Sequence, residues 1–484
     1  MAKILLIVPP MKKSEMFARG AEATASYAPP LGLGYIAAYL REHGHNCEIF
    51  DGVVQSVDLQ ALCRHALAFD IVGISVGTAY YLRAAEFLSS LQGYTNRPPV
   101  LVGGVHATNL PETLLVAGAD VAVIGEGEYT SLELVGALAG QRHPFLDKSD
   151  LTGIAGIAFL DDGSGEVVKT KRRQPIADLD VIPLPARDLL PMHTYGTSIA
   201  RSTATPSHAM LASRGCTGVC SFCNHSMFGK MIRRFSPARV VEEFFVLRDV
   251  YNAKSVALWD DNFIEEAAYA QEVLEQLIHR KFRLPISIEA RADAVSLPIL
   301  QLFKKAGGDY IAIGFESGSQ RMLDSMKKNL TLDQMREAAA LAKEAKLKIR
   351  GYFMMGMPTE TYEDIRQTIR FAKSLDIDVA SFSLMVPFPG SRDYIRAQKS
   401  GQFDPDFFMK GIVGEFNFLK TPIYVPEGMT PEGLLKIHKN AYSQFYFRLA
   451  IVLKKLAEVR TAQDIINLFK GGYTLLMNAL SRGK

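Results

Sequence analysis

Ser213-Arg214-Gly215-Cys216-Thr217-Gly218-Val219-Cys220-Ser221-Phe222-Cys223 is the stretch on which the reading of this chain turns. Its cysteines fall as C-x-x-x-C-x-x-C and are three of only five among 484 residues. Thiolates this close in sequence can converge on one metal centre, yet a trio cannot complete the four-thiolate shell of a closed iron–sulfur site. One iron would then lack a protein ligand, and an open position separates reactive from structural metal sites. A zinc site with His225 as fourth ligand, or three buried thiols, are the competing readings of the same residues.

Outward from the cysteines, residues 208–390 alternate apolar strands with helical stretches. Strands are expected at 207–212, 255–259, 285–289, 310–315, 348–354 and 380–384, with a helix over 239–250. The residues just past the strand ends carry chemistry: Asp260 and Asp261, Arg291, Glu316 and Ser317, Gly356, and Pro387 to Gly390. In α/β folds with parallel strands, function collects at those carboxyl ends. Asp260 and Asp261 are the weak catalytic candidates; an acidic pair there can equally cap the following helix.

The first third repeats the rhythm, with strands expected at 4–8, 46–50, 71–75, 100–102 and 121–124 and helices at 33–43 and 80–91. This is the pattern of a doubly wound parallel sheet, whose ligands bind beyond the carboxyl ends of its strands. The loops there are small or polar and include Leu31-Gly32, Thr78, Gly103-Gly104-Val105-His106-Ala107-Thr108 and Gly125-Glu126-Gly127-Glu128. Glycine in such loops lets backbone approach a bulky ligand.

The cysteine motif, with Phe222 before its third cysteine, resembles the radical S-adenosylmethionine (SAM) superfamily, and the glycine loops resemble the cobalamin-binding domain found ahead of some radical SAM cores. The resemblance implies a 4Fe-4S cluster on Cys216, Cys220 and Cys223, with SAM chelated at the open iron and cleaved to methionine and a 5′-deoxyadenosyl radical. Thr217 stands where that family often has proline. It implies that Phe222, Arg291, Glu316, Ser317 and Gly356 surround SAM, and that Leu31, Gly32, Thr78, Gly103, Gly104, His106, Thr108, Gly125, Glu126 and Gly127 surround cobalamin. The chemistry fits: a carboxylate accepts from ribose hydroxyls, and a guanidinium pairs with a carboxylate. A structural ion pair is the competing role for Glu316 and Arg291. The D-x-H-x-x-G signature of histidine-ligated cobalamin is missing from Pro9-Pro10-Met11, so no histidine is expected below the cobalt. His106 is expected to make a tail or backbone contact instead.

The implied architecture is a doubly wound cobalamin-binding domain (1–145), a linker (146–200), a six-stranded partial α/β barrel with the cluster (201–395) and a helical substrate-side domain (396–484). Within the linker, Asp161-Asp162-Gly163-Ser164-Gly165 predicts a hairpin turn between short strands, and Pro183 to Arg187 a stiff connector. The tail predicts helices over 430–446, 445–459 and 462–469; its aromatic run at 442–447 reads as core packing and its basic residues, among them Arg448 and Lys454, as a solvated face. Methylthiotransferases, a rival radical SAM family, need three cysteines in the first domain; only Cys47 and Cys63 are present, and both read as buried hydrophobes.

A net charge of +3 gives no case for nucleic acid, and no apolar run approaches a membrane span. Unpaired cysteine spacing fits a reducing cytoplasm. The expected activity is a cobalamin-dependent C-methyl transfer from SAM, served by an external electron donor. A cyclase or ring-rearranging enzyme with the same cofactors, and a non-catalytic cobalamin or redox sensor, are the alternatives. The resemblance offers a side chain of a large protein such as methyl-coenzyme M reductase, a polycyclic lipid or a natural-product scaffold as substrate.

Overall fold

A computed structural model describes residues 1–11, 27–196, 204–409 and 422–457. The first unit runs β1 (Lys3–Val8), α1 (Leu31–Glu42), β2 (Asn46–Asp51), α2 (Leu59–Ala66), β3 (Ile71–Ser75), α3 (Tyr81–Gln92), β4 (Val100–Gly103), α4 (Val105–Asn109), α5 (Pro111–Val116), β5 (Val121–Val123) and α6 (Glu128–Leu138). In β1 the residues after Lys3 are all buried, because helices cover both faces of a parallel sheet. The strand order is β2-β1-β3-β4-β5, with the switch point between β1 and β3.

The stretch read as a linker contributes two more strands. β6 (Ile157–Leu160) and β7 (Val167–Lys169) form a hairpin closed by the Asp161 turn, and β6 pairs antiparallel with β5. The seven-stranded sheet therefore extends to residue 169. The connector after it is buried rather than a free spacer. Arg187 donates to Ala209 O and to Glu243, both at 2.7 Å, and Tyr195 donates to Asp51 at the end of β2.

The second unit comprises β8 (Ser207–Met210), the two-residue β9 (Ser213–Arg214) and β10 (Arg233–Arg234), α7 (Pro237–Asp249), β11 (Ser255–Leu258), α8 (Ala267–His279), β12 (Ile286–Ala290), α9 (Leu297–Ala306), β13 (Gly308–Glu316), α10 (Gln320–Ser325), α11 (Leu332–Glu344), β14 (Lys348–Met355), α12 (Tyr362–Ser374), β15 (Val379–Leu384) and α13 (Arg392–Lys399). Six strands pair in parallel in the order β15-β14-β13-β12-β11-β8, leaving β8 and β15 as edges. Capping boxes at Thr331 and Thr361 start α11 and α12.

An exposed edge strand invites wrong pairing. Here α14 (Pro431–Tyr446) covers β15. Tyr446 donates to Ala380 O at 2.9 Å and accepts from Ala380 N; Tyr442 does the same at Phe382. Phe445 is fully buried between them, so the aromatic run is core packing as expected. α15 (Leu449–Ala457) follows, and the helix expected over 462–469 lies outside the described residues. Arg448 and Lys454 are not a solvated face: Arg448 caps the Lys373 carbonyl and Lys454 pairs with Asp378 at 2.6 Å. Among the described residues, no helix is long and apolar enough to cross a membrane.

Candidate active site

The cysteine loop leaves β8 and is tied off at its neck, where β9 pairs antiparallel with β10. Gly215 sits at φ +99 in that neck, and a Cβ there would collide with Met231 O, so only glycine fits. Asp260, at the end of β11, is buried and accepts from Ala212 N and Ser213 Oγ. It fixes the entrance to the loop, and burial pushes its carboxyl up to about 6. That is a positioning role. Asp261 is exposed, and its charge acts on Cys216 and His225.

Gly218 stands between two thiols: a Cβ on it would lie 3.3 Å from Cys216 Sγ and 3.8 Å from Cys220 Sγ. Arg291 Nη1 lies 3.8 Å from Cys220 Sγ, and Lys328 is buried nearby. A hydrogen bond from Cys223, together with the charges of Lys328 and Arg291, pulls the Cys220 pKa down; positive surroundings favour the thiolate that binds metal. Among the described residues, no three His, Cys, Asp or Glu side chains gather as a single-ion site. Three thiolates on separate irons fit an iron–sulfur cluster, which does not require them to meet at one ion.

The strand ends facing the cysteines hold the other expected residues. Glu316 pairs with Lys328 at 2.8 Å, and Arg291 pairs with Asp293 at 2.9 Å while donating to Lys328 O. Both thus occupy the ion pairs weighed as their competing role, beside Cys220. Phe222 packs against the apolar cluster that holds Met322, Met326 and Met357, and Ser317 shares a hydrogen bond with Thr368. Lys328 is the residue missed: it follows α10 in sequence, and nothing local marks it as part of the site.

Gly356 lies at φ +81 and donates to Glu360, which is 1% exposed and also accepts from Met357 N. Burial pushes the Glu360 carboxyl up to about 8 from an ordinary 4.5. The native state keeps this proton where the unfolded chain has lost it, so the contribution is complete below about pH 4.5 and is lost as pH rises through 8. Glu360→Gln is expected to flatten the fall in urea midpoint between pH 5 and 8. An unchanged pH slope would contradict this.

Between the first sheet and the segment around the cysteine loop lies a cavity of about 200 Å³, lined among others by Gly32, Gly73, Gly103, Gly104, Gly125, Glu126 and Gly127 and, from the second unit, by Arg214 and Phe228. These glycines leave the room that a cobalamin tail would fill. Gly103 is extended, and a Cβ on it meets a single neighbour, Val123, at 3.8 Å. Gly103→Leu is therefore expected to leave the fold intact and to lower bound cobalamin per chain at least about tenfold, the cavity being filled. Cobalt retention at the wild-type level would show that the tail binds elsewhere.

Leu31, Thr78, His106 and Thr108 are not among the lining residues. Leu31 and Thr78 are buried. Thr108 accepts from Gly125 N and donates to Gly104 O, bracing two of the loops. His106 is turned into the core, 2.9 Å from Thr113 Oγ1 and against the Tyr81 ring; burial pushes its pKa down to about 4. Cys47 and Cys63 are buried, with thiols pushed up to about 11.

The two halves meet through a buried charge network. Arg214, two residues before Cys216, pairs with Glu126 at 2.8 Å and Glu128 at 2.6 Å, all nearly inaccessible. Glu126 also pairs with Arg233 and accepts from Ile176 N. Asn109 donates to Ser226, and Asn224 to Pro389 O, so the loop after Cys223 also touches both units. The loop that lines the cavity is thus bonded to the short strand that leads into the cysteine loop.

The chain matches the B12 binding domain over residues 21–135 and the Radical SAM superfamily over residues 210–372. It is 31% identical over 465 residues to an uncharacterized methyltransferase of Pyrococcus horikoshii, covering 94% of this chain and 95% of that one. It is 29% identical over 441 residues to the anaerobic magnesium-protoporphyrin IX monomethyl ester cyclase of Rubrivivax gelatinosus, covering 90% and 76%. Its fold is similar to that of OxsB, a cobalamin-dependent S-adenosylmethionine radical enzyme solved with aqua-cobalamin and S-adenosylmethionine, with a TM-score of 0.73 at 18% identity over 99% of this chain and 72% of that one.

Proposed function

Since the chain belongs to the cobalamin-dependent radical SAM enzymes, whose cofactors are a 4Fe-4S cluster, SAM and cobalamin, we propose that it transfers a methyl group from SAM to an unactivated carbon of a protein side chain, a lipid or a natural-product scaffold. When bound, the cofactors supply the 5′-deoxyadenosyl radical and the transferable methyl. The protein supplies position and exclusion of water.

In this reading Cys216, Cys220 and Cys223 hold the cluster, and Arg291 and Lys328 set the charge beside Cys220. Asp260 fixes the loop that carries the cysteines. Gly32, Gly103, Gly104 and Gly125 to Gly127 take the cobalamin tail. The observation that carries the reading is the Arg214 bond to Glu126 and Glu128: it couples the cavity loop to the short strand leading into the cysteine loop within one buried network.

The test supplies the reduced enzyme with SAM carrying a deuterated methyl group and a metabolite extract. Methyl transfer gives 5′-deoxyadenosine and S-adenosylhomocysteine together, with label in a new product. 5′-Deoxyadenosine accompanied by an unlabelled product would replace methyl transfer by the cyclisation that the Rubrivivax relative's name describes.

A further inference from the structure

Residues alternate between two faces along the second sheet. Ile311, Ile313 and Phe315 of β13 and Ile349, Phe353 and Met355 of β14 enter the core under the helices. The opposite face carries Glu289, Ala312, Arg350, Tyr352 and Ser381, which stay partly accessible where their neighbours in the strands are buried. Register puts Glu289 opposite Ala312 and Ala312 opposite Arg350, so a small residue separates the carboxylate from the guanidinium. No ion pair closes that gap among the described residues.

Arg350 is the anomaly on this face. Among the described residues its guanidinium makes no hydrogen bond or ion pair, its Nε is inaccessible without a partner, and its contact is with the Tyr352 ring at 5.7 Å. Tyr352 in turn donates to Glu289 at 3.4 Å. One layer deeper, Lys348 sits over the Tyr310 ring at 5.4 Å and adds a second positive charge. The phenols of Tyr442 and Tyr446 face the guanidinium from α14, but both are engaged on the edge of β15. Only the Nε is closed to water; the terminal nitrogens stay accessible on this face, where they can donate to an anion. A cation held on an inner face without a protein anion is placed to meet the charge of a ligand.

Arg350 lies four residues before Met354, about 13 Å down the strand from the ends where the cysteines, Glu316 and Arg291 sit. We propose that the substrate carries an anionic end, a carboxylate or a phosphate, which Arg350 receives on this inner face while the carbon to be modified lies roughly 10 Å higher, at the strand ends. The inference rests on the reading that the reaction takes place at those ends.

Binding is measured by calorimetry on the full chain, purified without oxygen, with phenyl phosphate, phenylacetate and the neutral benzyl alcohol as probes. At least one anion is expected to bind wild type about tenfold or more tightly than Arg350→Gln, with benzyl alcohol unaffected. Which anion responds identifies the group. Equal anion binding by both proteins, or none by wild type, overturns the proposal. Arg350→Met supplies the second measurement: no hydrogen bond or ion pair among the described residues is lost with the guanidinium, so the melting temperature should stay unchanged or rise. A drop of several degrees would make Arg350 a structural residue and also overturn it. Neither readout involves SAM cleavage or methyl transfer, so the proposal can fail while the proposed reaction stands.

Discussion

Arg214→Ala is expected to lower stability by about 3–5 kcal/mol, because it leaves Glu126 and Glu128 charged, buried and without Arg214. Burial works against the Arg214 charge, yet Glu128 and Glu126 hold its pKa above the ordinary value, so it is an ion in the native state. It also packs its guanidinium against the rings of Tyr35 and Phe228, at 5.2 and 5.5 Å. The loss should be structured. With the cavity loop detached from the segment leading into the cysteine loop, calorimetry should resolve the unfolding of the two units further apart in temperature than in wild type. Arg214→Lys should fall between, since an ammonium lacks the fork that spans two carboxylates. A loss under about 1 kcal/mol in Arg214→Ala would place the coupling elsewhere, such as the Asn109–Ser226 contact.

The second large effect is chemical. Cys220→Ala is expected to abolish 5′-deoxyadenosine formation and the brown colour of the anaerobically purified protein. Two remaining thiolates would leave two irons of the cube without a protein ligand. Cys47→Ala and Cys63→Ala change buried residues remote from this loop and should leave both readouts at wild-type levels. A Cys220→Ala protein that still cleaves SAM would remove the cysteine loop from the reaction.

The strands were legible because parallel strands covered on both faces read as short apolar runs between glycine and proline. Residues 4–8 and 71–75 are expected from that signal and observed as β1 and β3. The cysteine spacing and the glycines around the cavity were legible for a similar reason, since each is a local pattern with a local cause. What could not be read is held together across long separations. Arg214 and Glu126 are 88 residues apart, and Lys328 meets Glu316 across the intervening α10, with Glu316 itself at φ +61. No period in the sequence records such pairs. The same limit applies to Glu126: it lines the cavity with its neighbours, but the ion pairs of its carboxylate with Arg214 and Arg233 leave no mark in the sequence. His106 drew notice as a histidine in a glycine loop, and packing against Tyr81 turned it inward. The hairpin at β6 and β7 was visible, but its pairing with β5 was not, because an edge addition leaves no mark in either segment.

The most direct measurement counts both metals in one sample. The protein is purified and reconstituted without oxygen in the presence of cobalamin, and iron and cobalt are determined per chain. About four irons and one cobalt per chain are expected together, with Gly103→Leu losing the cobalt and keeping the iron. Iron far below four per chain in wild type, or cobalt that stays when the cavity is filled, would contradict it.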